Sequence, residues 1–159
     1  MAYHILRMYH QARGFQLAAE RCLEERDNPE QRTLPIQAIV NCAFACEVYL
    51  KAIYAFEHPE ADKLWGHHLD ELYNQLPDAY KVKIENNLSF LYKKEDVGRL
   101  LQEFRKIFEE YRYIYEMEKD NRIHYGFVLI FASALQDIVG ELTHKYVLRM
   151  AEMGGAQCW

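Results

Sequence analysis

From Ile36 to Phe56 the chain is apolar almost without interruption, and Gln37, Asn41, Glu47 and Lys51 are its only strongly polar positions. Thr33-Leu34-Pro35 precedes the run and His58-Pro59 follows it. Proline in a first helical turn costs nothing, because its missing N–H would have no intrahelical partner there. Proline after the run biases the preceding residue away from helical geometry. The spacing therefore predicts one helix over roughly Leu34 to Glu57. A helix that is apolar on all sides has to be surrounded by other elements, so the rest of the chain must supply covers for it.

The flanking segments have that character. Ala2 to Arg26 places Ile5, Leu6, Tyr9, Ala12, Leu17, Ala19 and Leu23 along one side of a helix, ended by Asp27-Asn28-Pro29. A short helix carries Leu69, Leu72, Tyr73 and Leu76, and a second, beyond Pro77, carries Tyr80, Ile84, Leu88 and Leu91. Asp96 to Glu118 reads as another long helix, with Val97, Leu100, Leu101, Phe104, Ile107, Phe108, Tyr111 and Ile114 inward. The last helix, Ile123 to Met150, packs Phe127, Leu129, Ile130, Ala134, Ile138, Leu142 and Val147. No segment keeps the alternation of a strand. The expected fold is all-α: an up-and-down bundle of four long helices with two short helices inserted, one domain over residues 1–150 and a flexible tail over 151–159.

Composition narrows the function classes. A formal net charge of −5 excludes a surface coated with Lys and Arg for non-specific nucleic-acid binding. The four cysteines (Cys22, Cys42, Cys46 and Cys158) form no CxxC pair, and read as free thiols of a reducing compartment. The N-terminus lacks the pattern of a signal peptide. The apolar run from Phe127 to Leu135 is too short and interrupted to span a bilayer. A cytoplasmic protein without membrane contact is expected.

Three constellations carry chemistry. Glu47 and Lys51 stand four residues apart, acid first, in the favourable order for a helical ion pair. On a helix that should be buried, such charges must be paired or face a cleft or a partner subunit. Gly66-His67-His68-Leu69 lies at a helix entry, where glycine allows a tight turn and an imidazole can cap the helix or bond a neighbour. Arg112-Tyr113-Ile114-Tyr115-Glu116 puts Arg112 and Glu116 on one helical face with Tyr115 beside them. A guanidinium there suits a carboxylate or a phosphate. Glu141-Leu142-Thr143-His144 is a single ExxH, whereas a di-iron bundle needs two and further glutamates. No metal or other cofactor is expected, and no phosphate-binding loop or serine-hydrolase motif occurs.

Taken in order, Glu47-Val48-Tyr49-Leu50-Lys51-Ala52-Ile53, Gly66-His67-His68-Leu69-Asp70-Glu71-Leu72 and Arg112-Tyr113-Ile114-Tyr115-Glu116 resemble the HEPN family of helical domains, over roughly Ile36 to Leu135. The resemblance implies a helical bundle that dimerises and binds or acts on RNA or nucleotides, in many members as a metal-independent ribonuclease of toxin–antitoxin or phage-defence systems. Those nucleases carry an arginine followed, after four to six residues, by a histidine. No arginine in this chain has that spacing to a histidine: Arg122 and His124 are too close, and Lys119, at the right distance from His124, lacks the guanidinium fork.

The expected function is accordingly a HEPN-like homodimeric binding or assembly module without the nuclease motif. Its partner would be RNA, a nucleotide or a protein encoded nearby, at a site drawn from Glu47, Lys51, His67, Arg112, Tyr115 and Glu116. The alternative is an atypical metal-independent endoribonuclease using Arg112 and His67, with histidine as general acid or base.

Overall fold

A computed structural model describes residues 4–25, 33–60, 64–105 and 126–152. Within these it is all-helical. The elements are α1 (Ile5–Cys22), α2 (Pro35–Glu57), α3 (Leu69–Asn74), α4 (Asp78–Leu88), α5 (Lys94–Glu103) and α6 (Gly126–Glu152).

The apolar run folds as expected. α2 begins with Pro35 in its first turn and ends at His58, whose N–H donates to the Tyr54 carbonyl. Ala38, Ala43, Ala45, Ala52 and Ala55 are buried along it, and their small side chains let neighbouring helices come close. α1 lies against α2 along Ile5, Ala12, Gln16 and Ala19, and both pack on α6. The junction from α1 to α2 is tied by the Leu34 N–H, which donates to the Cys22 carbonyl at 2.6 Å and satisfies an acceptor at the end of α1. The shorter helices close one side of this three-helix core: α3 on α2, α4 on α6, and α5 on α3 and α4.

An aromatic column fastens the short helices to the long ones. Phe104 stacks on Phe127 (centroids 5.7 Å, 22°), and Phe127 stacks on Phe131 (5.5 Å, 14°). Tyr92 meets Phe127 edge-on at 5.2 Å, and Tyr73 meets Phe131 at 6.4 Å. All three phenylalanines are fully buried.

Several expectations need correction. The first helix stops at Cys22, before Arg26. Its inward face takes Gln16 instead of Leu17, which is exposed, because Gln16 has a buried polar partner in Tyr49. Leu91 and Val147 are also exposed: Leu91 lies in the turn after α4, and Val147 in the last turns of α6, beyond its buried stretch. The helix predicted over Asp96–Glu118 starts earlier, at Lys94, and the described helix ends at Glu103, with Phe104 as its cap. The rest of that predicted helix, including Ile107, Phe108, Tyr111 and Ile114, lies outside the described residues, as do Cys158 and the tail. α6 extends to Glu152.

By length and composition alone, α2 and α6 are both apolar enough to cross a membrane, which widens the sequence reading of Phe127–Leu135 as too short. Within the fold, 67 % of the most apolar window of α2 and 50 % of that of α6 is covered by the chain itself.

Candidate functional site

Glu47 projects from the middle of α2, between residues whose side chains are fully buried: Cys46, Tyr49 and Leu50. Only 8 % of its side chain is exposed. One carboxylate oxygen, Oε1, gathers two nitrogens. Lys51 Nζ, one turn later on α2, donates at 2.7 Å, and His67 Nδ1 lies at 3.0 Å. A carboxylate offers acceptors only, so the imidazole nitrogen facing it carries the proton. The Lys51 side chain is 17 % exposed and that of His67 is 74 % exposed, so the cluster runs from the core to the surface.

The segment before α3 brings His67 to this position. Leu64 is buried and anchors it, and Gly66 then turns at φ 104°, a left-handed conformation that side chains disfavour. The chain reverses onto α2, and the next residue meets Glu47. His68 is the N-cap of α3, but its side chain makes no capping bond; its Nδ1 sits 3.3 Å from Glu71 Oε1 instead. The capping role expected for this pair is therefore replaced by two imidazole–carboxylate contacts.

A second acidic group stands close by in sequence. Asp70 is buried in the first turn of α3, and Arg105, just past α5, approaches its Oδ2 at 3.7 Å while pairing with Glu71. The two buried carboxylates share one property. Glu47 Oε2 and Asp70 Oδ1 are buried and have no hydrogen-bond partner among the described residues. An unpaired buried acceptor costs on the order of 1–3 kcal/mol, more when it is charged.

Of the residues expected at the site, the structure brings Glu47, Lys51 and His67 together. Arg112, Tyr115 and Glu116 lie outside the described residues, as do Lys119, Arg122 and His124. Sequence reading missed Asp70 and Arg105. Asp70 stood inside the Gly66–Leu72 block, yet an acid in a first helical turn usually reflects only the helix dipole. Arg105 gave no signal, because its partners are 34 and 35 residues away.

The remaining motifs resolve into structural roles. Glu141 accepts from Lys83 at 2.5 Å and His144 is exposed, so the ExxH pair is turned to other uses. Lys83 holds the Glu141 carboxyl below its ordinary range by this bond. Cys42 and Cys46 are buried, and both thiols donate to the Val128 carbonyl, at 3.3 and 3.7 Å, which ties α2 to α6. Burial pushes the Cys46 thiol well up. Among the described residues no group of three or more His, Cys, Asp or Glu could hold a metal ion. Comparison with known proteins finds no matching family model, no matching curated protein and no matching solved structure.

Proposed function

We propose that this chain is a HEPN-like binding and assembly module that works as a homodimer in the cytoplasm, with the corner between α2 and α3 as the surface that receives RNA, a nucleotide or a partner protein. The observation that carries this reading is the Glu47–Lys51–His67 cluster, which runs from a buried carboxylate to an exposed histidine. His67, 74 % exposed, carries that cluster to the surface, where a second molecule can meet it. Free buried thiols agree with a reducing compartment. Apolar surface on α2 and α6 is used against the other helices, as in a soluble bundle.

Light scattering on the purified chain is expected to give about twice the protomer mass of 19.0 kDa at micromolar concentration. Glu47→Leu should weaken binding of RNA or nucleotide at that corner about tenfold and leave the mass unchanged. A strict monomer would overturn the proposal.

A second reading is favoured by the Glu47–His67 contact. An imidazole held by a buried carboxylate has the arrangement of a general acid–base group. In this reading the chain is a metal-independent endoribonuclease using His67 and Arg112. It requires cleavage of total RNA or tRNA without added metal, abolished by both His67→Ala and Arg112→Ala; intact RNA would remove it.

A further inference from the structure

The Glu47–His67 contact uses one nitrogen of the ring and, among the described residues, leaves the other without a partner. Nδ1 is turned inward to Glu47 Oε1, so Nε2 is the outward atom of a side chain that is 74 % exposed. With the proton fixed on Nδ1, the lone pair of the neutral ring sits on Nε2, facing solvent. Free imidazole divides its proton between the two nitrogens. Here a buried carboxylate decides which one keeps it.

Lys51 adds the second half of the arrangement. Its ammonium shares the same oxygen with His67 Nδ1, which makes the two nitrogens neighbours across a single atom. An ammonium has three donors, and one is spent on Glu47. The charge of Glu47 is thereby matched locally, and an anion approaching His67 meets a cation beside the ring. Asp70 and Glu71, the acids in the first turn of α3, face Arg105, and Glu71 also faces His68.

We propose that His67 is a phosphoryl-acceptor site, modified at Nε2, with Glu47 and Lys51 as positioning residues. The donor is an acyl phosphate or a phosphoramidate, compounds whose leaving group departs without a metal. The Nε2 lone pair forms the N–P bond while the bond from phosphorus to the leaving group breaks, and the leaving group takes that electron pair. The positive charge developing on the ring spreads to Nδ1–H, where Glu47 Oε1 stabilises it. Lys51 attracts the incoming phosphoryl oxygens. The inference does not depend on dimerisation or on RNA cleavage.

The chain carries its own controls, because it contains seven histidines and two others, His10 and His144, are exposed on helices. The full-length protein is incubated with phosphoramidate, which releases ammonia on transfer, and each histidine is quantified by mass spectrometry at neutral pH. His67 is expected to react about tenfold faster than His10 and His144. Phosphorus NMR should show the Nε2-linked isomer. Glu47→Leu should bring His67 down to the rate of the other two, while Glu47→Gln, which keeps an acceptor for Nδ1–H, restores the Nε2 isomer at reduced rate. Lys51→Met should slow His67 alone. The wild-type competition needs no variant and decides the matter even if Glu47→Leu does not fold. Equal rates at His67, His10 and His144, or an Nδ1-linked product, would overturn the proposal.

Discussion

Single residues decide how a helix without a wet face tolerates polar atoms. Tyr49 is fully buried on α2, and its hydroxyl donates to Gln16 Oε1 at 3.0 Å. Tyr49→Phe strands the glutamine carbonyl, and urea unfolding should register a loss of about 1–3 kcal/mol. Tyr49→Phe combined with Gln16→Leu should recover part of it, since neither group is then left unpaired. Burial also pushes the ionisation of Tyr49, Tyr73 and Tyr80 up, with Glu85 and Glu57 adding to it at the latter two. The sign follows directly. These phenols stay neutral in the folded state, so their contribution is whole below the ordinary tyrosine value of about 10 and is lost as pH rises from there through their raised values. Alkaline titration at the phenolate absorbance band should leave these three silent until the chain unfolds. Full ionisation with native helicity retained would contradict this.

Helices set where these residues can meet, and here the sequence was legible in parts. The bounds of α2 followed from its apolar run and its flanking prolines, and α3 and α4 from Pro77 and short apolar stripes. The end of α5 was not legible, because the apolar spacing continues past Phe104 while the described helix stops at Glu103. Phe104 anchors that end through its stack on Phe127, and Phe104→Ala should cost about 3–5 kcal/mol in unfolding free energy. The Glu47–Lys51 pair could be read from spacing, whereas its link to His67 could not. That contact depends on a 20-residue separation closed by the turn at Gly66. Between α4 and α6, the Lys83–Glu141 pair lowers the Glu141 ionisation. Its contribution is present above the ordinary glutamate range and is lost as pH falls through the depressed value. Both side chains are about half exposed, so Lys83→Met should change stability at neutral pH by under about 1 kcal/mol.

At the scale of the molecule, α1, α2 and α6 form a core that spends nearly all of α2 on packing, and the short helices bring a loop back to its one buried acid. The charge that looked out of place in the apolar run is the point where core and surface connect. Lys51 and His67 are held by a carboxylate that the fold has already desolvated, so their orientation is set before any partner arrives. Long-range proton–nitrogen NMR of the histidine rings tests this most directly. The structure predicts that His67, when neutral, carries its proton on Nδ1 and changes tautomer in Glu47→Leu. A neutral His67 protonated on Nε2, indistinguishable from His10 and His144, would contradict it.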